Sequence, residues 1–261
     1  MSHDNLGNRM KRYELTSERN LMRRTPVIIR IDGKAFHTLT AKLNDRFDPR
    51  MHICMAQTMR RLCENMQGAV FAYTQSDEIS ILLRDWNTVR TEAWFDYRQN
   101  KVESVSASMA TAYFNETSKN IPEFQIGTAL FDSRAFNVPE NDVVNYFIWR
   151  QIDAERNSIQ TYGRTIFSHK QLMGVSNQKV ITMLDEAGHS WQQLDTWKKR
   201  GTCWVLPKTA TNPWNGSAFF STVNSETGLD IEIPMFTMLR HYVETAMNYV
   251  EIKDVTLDGR P

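Results

Sequence analysis

Val27-Ile28-Ile29-Arg30-Ile31-Asp32-Gly33-Lys34-Ala35-Phe36-His37 is the stretch on which the fold turns. Its β-branched, apolar start reads as a buried strand that stops at Asp32-Gly33. A second stretch answers it, Phe71-Ala72-Tyr73-Thr74-Gln75-Ser76-Asp77-Glu78-Ile79-Ser80-Ile81-Leu82-Leu83. That run reads as a strand, a tight turn over Gln75 to Glu78, and a return strand. If the strands are neighbours, Asp32 and Asp77 meet at one end of a sheet. Two carboxylates held that close repel unless a cation lies between them. Hard oxygen ligands with room for phosphate oxygens suit Mg²⁺, and two such ions can activate an attacking oxygen and steady a leaving one. Gly33 would let its carbonyl approach the metal, and the amides of Gly33 to His37 could cradle a triphosphate. The plain alternative is that Asp32-Gly33 is a turn and Asp77-Glu78 a polar hairpin tip. Two such carboxylates at strand ends favour the metal site.

Outward from these stretches, residues 1–24 form a polar arm, helical around Glu14 to Met22. Arg19, Arg23 and Arg24 in it are either a solvated lead-in or phosphate contacts. After the loop from Thr38, Pro49 opens a helix through about Met66, with Ile53, Met55, Ala56, Met59, Leu62, Cys63 and Met66 on one broad apolar face. The methionines there are core filler, and Gly68 stops the helix. Residues 89–117 read as a second, long helix, and Thr128 to Val138 as a fourth strand closed by Pro139. Strand, helix, strand, strand, helix, strand is the split βαβ, ferredoxin-like order of an α+β fold. We therefore place a catalytic domain at residues 25–139. Residues 140–261 form a C-terminal region with helices over 141–160, 178–186 and 190–198. A strand over 202–207, a hairpin over 214–236 with turns at Asn215-Gly216 and Thr227-Gly228, and a helix over 238–247 complete it.

Composition excludes more than it identifies. A net charge of +1 over 261 residues gives no global field for nucleic acid, so any RNA contact is local. Cys54, Cys63 and Cys203 form no CxxC pair, which argues against a zinc site or disulfide framework and for a reducing cytosol. The polar start has no signal-peptide pattern, and no apolar run reaches 18 residues, so no membrane span is expected. GxSxG, HExxH and GxxxxGK[ST] are absent. His37, His52, His169, His189 and His241 lack ligand spacing. They read as surface or packing residues, except His37 at the end of the nucleotide loop.

The segments Arg30 to His37 and Tyr73 to Glu78 closely resemble the tRNA-histidine guanylyltransferase family, which includes guanylyltransferase-like 3′-to-5′ polymerases. Further matches follow in order at Ala107 to Tyr113, Phe131 to Arg134, Trp149 to Gln151 and Lys199 to Thr202. The resemblance spans about residues 10 to 205 and implies the palm architecture of nucleotide polymerases and cyclases. It implies that Asp32, Gly33 through its carbonyl, and Asp77 ligate two Mg²⁺ ions, with Glu78 as a further catalytic carboxylate supporting Asp77. Asp32, Gly33, Lys34, Ala35, Phe36, His37, Ser76 and Asp77 would hold the nucleotide, with Phe36 stacked on a base. Arg46, Arg98 and Lys101 are candidates for a triphosphate clamp, their alternative being solvated surface charge. ATP would activate an RNA 5′-monophosphate, and the 3′-hydroxyl of GTP would attack the activated phosphate. The partners implied are tRNA and nucleoside triphosphates, and the family form is a homotetramer.

One segment departs from many eukaryotic members. After Trp149-Arg150-Gln151, Glu155 stands where a histidine tied to tRNA-histidine recognition would be, while Asn157 remains. This resembles the branch that repairs truncated tRNA 5′ ends on a template. Arg150, Arg156, Asn157, Lys199 and Arg200 are the candidate RNA contacts, or else only the polar faces of their elements. A different palm enzyme, a cyclase or dinucleotide synthase acting without RNA, is the competing reading.

Overall fold

We describe the protein from a computed structural model, over residues 5–41, 43, 47–124, 127–206 and 221–248. The core motif is β1 (Val27–Gly33), α2 (Phe36–Leu39), α3 (Pro49–Asn65), β2 (Ala69–Gln75), β3 (Glu78–Leu83), α4 (Gln99–Ser118) and β4 (Phe131–Asn137), preceded by α1 (Asn5–Leu15). α5 (Val143–Ile166), α6 (His169–Leu172), α7 (Asn177–Glu186) and α8 (Thr196–Arg200) follow. β5 (Thr202–Val205), β6 (Leu229–Asp230) and α9 (Arg240–Asn248) close the described fold. The strands form one antiparallel sheet ordered β4-β1-β3-β2-β5-β6. Its first four strands are in the ferredoxin-like order, so the α+β reading stands.

Strand alternation sorts the core into two layers. Val27, Ile29 and Ile31 pack with α3 and α4, where Met55, Met59, Leu62, Ala110 and Phe114 are buried. Ile28, Phe71, Tyr73 and Leu82 pack on the other face with Val143, Phe147, Tyr242 and Val243 of α5 and α9. Arg30 and Asp32 share the parity of Ile28 and so belong to the α5 side. A third cluster, Ile159, Leu172, Val180, Leu184 and Trp191, joins the far half of α5 to α6 and α7. Gly163 permits this, because a Cβ there would lie 2.9 Å from a Val180 methyl.

Several element boundaries differ from the sequence reading. The amino-terminal helix occupies Asn5–Leu15 and buries no residue, so nothing from the core pulls it toward Met22. Arg23 pairs with Asp85 at 2.8 Å and Asp96 at 2.6 Å. The Arg24 guanidinium bonds the carbonyls of Thr88 and Val89. These arginines clamp the arm to the 85–96 loop and are not phosphate contacts. The long helix starts at Gln99 instead of residue 89, because Phe95, Asp96 and Tyr97 take left-handed backbone. Residues 190–198 split into a short turn at Trp191–Gln193 and α8, and α5 runs on to Ile166. Of the expected 214–236 hairpin, the Asn215-Gly216 turn lies outside the described residues. The Thr227-Gly228 turn is present, with Gly228 at φ 72°. No described helix is long and apolar enough to cross a membrane.

Candidate active site

Strand register brings the two opening stretches together. Asp32 pairs with Glu78 on one side and Asp132 on the other. The Gly33 amide donates to the Asp77 carbonyl at 3.0 Å. Ser76 takes left-handed backbone, φ 52°, which tightens the hairpin, and its hydroxyl donates to Asp77 Oδ1 at 3.1 Å. Asp32, Asp77 and Glu78 thus line one cavity of about 1150 Å³ at the ends of β1, β2 and β3.

The three carboxylates are not equivalent. Neither Asp32 nor Asp77 has a basic side chain as an ion-pair partner among the described residues. Burial raises the Asp77 carboxyl above its ordinary value, and the neighbouring Asp32 and Glu78 charges raise it further. That is the expected state of an acidic pair without its counter-charge. Glu78 is 5% exposed and is fully engaged. Arg150 Nε donates to its Oε1 and Arg150 Nη2 to its Oε2, both at 2.7 Å, and Arg30 Nη2 lies 2.7 Å from Oε2. The catalytic part expected of Glu78 is therefore corrected to an anchoring one: its oxygens are taken by two guanidiniums. The RNA contact expected of Arg150 falls for the same reason, since its side chain is 4% exposed and buried on Glu78.

The nucleotide loop is compact. Ala35 adopts φ 55°, turning the chain into the short α2 (Phe36–Leu39). Gly33, Ala35, Phe36 and His37 line the cavity, while the Lys34 side chain is exposed and its amide bonds the Leu130 carbonyl at 2.8 Å. Phe36 is not free to stack on a base. It is 4% exposed and its ring packs against Phe114 and Phe131 at 5.3 and 5.0 Å. A Cβ at Gly33 would fall 2.3 Å from that ring. Glycine is required there by the phenylalanine, a reason the sequence alone did not reveal.

Two of the three expected clamp residues, Arg98 and Lys101, are not among the residues lining the cavity. They flank Gln99 at the start of α4, whose side-chain amide bonds the Ala135 carbonyl, opposite Ile29 in the middle of β1. Lys101 rests over Phe95 instead, and Arg46 lies outside the described residues. Lys199 lines the cavity, but its ammonium is tied to the Gln192 carbonyl at 2.7 Å, so it is a buried strut rather than an RNA contact. Arg200 donates to Glu155 at 3.1 Å, and its carbonyl receives the Tyr73 hydroxyl. Arg156 and Asn157 are exposed on α5. Asn157 lines the main cavity, and both line a shallower one of about 520 Å³ beside it.

Residues passed over in the sequence complete the walls. Arg30 shares a strand face with Asp32, a period-two signal that was available. Met51, His52 and Met55 line the cavity from α3, and Trp197 and Lys198 from α8. Arg164, about two turns beyond Asn157, lines it from α5. The methionines carried only a core signature, and nothing in sequence ties α3 to α8.

Residues 7–139 match the family model described as Thg1: tRNAHis guanylyltransferase. The tRNA(His) guanylyltransferase of Debaryomyces hansenii is 29% identical over 216 residues, covering 75% of this chain and 78% of that protein. A bacterial Thg1-like protein solved with ATP superposes with a TM-score of 0.83 at 38% identity, covering 94% of this chain and all of that one. A bacterial Thg1-like protein solved with GTP gives 0.75 at 36%, with the same coverage. With these matches falling on the site just described, the chain belongs to the tRNAHis guanylyltransferase family.

Proposed function

We propose that this nucleotidyltransferase adds nucleotides to the 5′ end of tRNA in the 3′-to-5′ direction, using ATP for activation and GTP or template-matched nucleotides for extension. One observation carries the reading: Asp32 and Asp77 converge on a large cavity without a cationic partner among the described residues, while the adjoining Glu78 is neutralised. The ATP and GTP complexes of the bacterial relatives support nucleotide substrates here.

The donor set fits Mg²⁺. Two carboxylates and the Gly33 carbonyl are hard oxygen ligands, and Asp77 is raised first by burial and then by the Asp32 and Glu78 charges beside it. Asp32, Gly33 and Asp77 would hold the ions, which supply neutralisation of phosphate charge when bound. The chain's own residues do the positioning. The amides of Ala35 to His37 and the Ser76 side chain would face the triphosphate, those of Gly33 and Lys34 being committed to the Asp77 and Leu130 carbonyls, and the Arg30–Glu78–Arg150 bridge fixes the hairpin that presents Asp77. In the first step a 5′-monophosphate oxygen attacks the ATP α-phosphorus, forming a 5′-adenylate and releasing pyrophosphate. In the second, the 3′-hydroxyl of the incoming nucleotide attacks the activated 5′ phosphorus, its proton is lost to solvent, and AMP leaves. Both steps depend on alignment and charge stabilisation. Glu155 supports a repair activity over strict tRNA-histidine addition, because it is committed to Arg200 where a base-reading histidine was expected. Two Mg²⁺ ions and a homotetramer belong to the same reading and rest on the family resemblance, while a cytosolic location rests on the cysteine pattern.

The test is nucleotide addition to 5′-labelled tRNAs lacking their first nucleotide, with ATP and each nucleoside triphosphate in turn. Mg²⁺-dependent, template-matched addition to several tRNAs is expected. A single G confined to tRNA-histidine would contradict the repair reading. A cyclic or dinucleotide product formed without RNA would replace it with the cyclase reading.

A further inference from the structure

The cavity has a second functional wall. His52 of α3 and Trp197 of α8 lie face to face, with ring centroids 4.3 Å apart and planes within 16°, and both line the cavity that holds Asp32 and Asp77. Trp197 is half-buried. Burial lowers the His52 imidazole to about 4, so the ring is uncharged near neutrality and is an aromatic surface rather than a phosphate-binding cation. The Lys198 ammonium sits 5.3 Å from the Trp197 ring centre and is held to Asp195 at 2.9 Å. Its stem is flexible and its side chain 25% exposed.

Register fixes how far this wall is from the carboxylates. The His52 imidazole is 3.4 Å from the Thr202 hydroxyl. Thr202 pairs with Thr74 and Thr74 with Ile79, next to the Glu78 that pairs with Asp32. From β5 to β1 is three strand spacings, about 14 Å. The cavity of about 1150 Å³ also exceeds the roughly 300–1,000 Å³ that houses one small ligand. There is room for the reacting nucleotide beside the aspartates and for a second base against the rings.

We infer that the stacked His52–Trp197 pair is a platform for the 5′-terminal nucleobase of the RNA acceptor, with Lys198 swung toward the phosphate next to it. Stacking on an aromatic face accepts any base, which suits an acceptor end of varied sequence. This inference rests on the proposed activity, and the test separates the two.

Binding is measured by fluorescence anisotropy with a 5′-truncated tRNA and with the same tRNA carrying an abasic 5′-terminal nucleotide. The proteins are the wild-type chain, Trp197→Ala and Trp197→Phe, with addition assayed in parallel. In the wild type, removing the base should weaken binding roughly tenfold or more. Trp197→Ala should bind the normal tRNA that much more weakly and no longer distinguish the abasic one. Trp197→Phe, which keeps a ring, should recover most of the difference even if the alanine variant folds poorly. KM for GTP should be unchanged in both. Equal wild-type binding to both tRNAs, or an effect on KM for GTP alone, would overturn the platform while leaving 5′ addition intact. A wild-type chain that neither binds nor extends tRNA would instead refute the activity itself.

Discussion

At the residue scale, the site separates carboxylates that are free from one that is committed. Asp77→Asn should abolish nucleotide addition, a loss of at least about 10³-fold for a group that neutralises transferring phosphate. RNA binding should persist, as gel shift would show. Arg150→Ala leaves Glu78 buried with only Arg30, so denaturant unfolding should show a loss of about 3–5 kcal/mol. Removing both charges, as Glu78→Gln with Arg150→Gln, should recover part of that loss, and no recovery would mean that charge pairing is not what Arg150 provides. His52 gives a pH signature. Its folded value of about 4 lies below the unfolded 6.5, so the unfolded chain binds the extra proton. Its contribution is present above pH 6.5 and is lost as pH falls toward 4. His52→Phe should flatten the slope of stability over that window.

At the scale of elements, glycines mark where segments meet. Gly201 joins α8 to β5 at φ 81°, and a Cβ there would lie 2.3 Å from the Thr74 carbonyl oxygen. Gly201→Ala should therefore cost roughly 1–3 kcal/mol and shift the ring wall relative to the hairpin, read as a lower melting temperature and a raised KM for RNA. Elements with period-two or period-3.6 apolar patterns were legible in the sequence. β1, the β2–β3 hairpin and α3 fall close to where the residues put them. The aspartate pair was legible because both strands stop at carboxylates. What stayed hidden depends on tertiary partners. The late start of α4 follows from left-handed Phe95 to Tyr97 held near Arg23, and Phe36 was read as a base-stacker because nothing local announces Phe114 and Phe131 around it. Charged residues were the least legible. Arg150, Lys199 and Arg200 look like RNA contacts in sequence and are internal partners in the fold.

At the scale of the whole molecule, a single sheet with a helical layer on each face holds the site at its strand ends. The α5 layer reaches from Arg150 at the aspartates to Arg164 at the cavity's far wall. α1 stands outside this arrangement, burying no residue. Deleting residues 1–12 should leave unfolding free energy within about 0.5 kcal/mol of the full chain, and a larger loss would show that the arm has a stabilising partner. The central claim is that the Asp32–Asp77 site extends RNA at its 5′ end. Its most direct measurement is 5′-labelled, first-nucleotide-deleted tRNA incubated with ATP, GTP and Mg²⁺, beside an EDTA control and Asp77→Asn. The account predicts products one or more nucleotides longer that disappear in both controls. Equal extension by Asp77→Asn, or none by the wild-type chain, would contradict it.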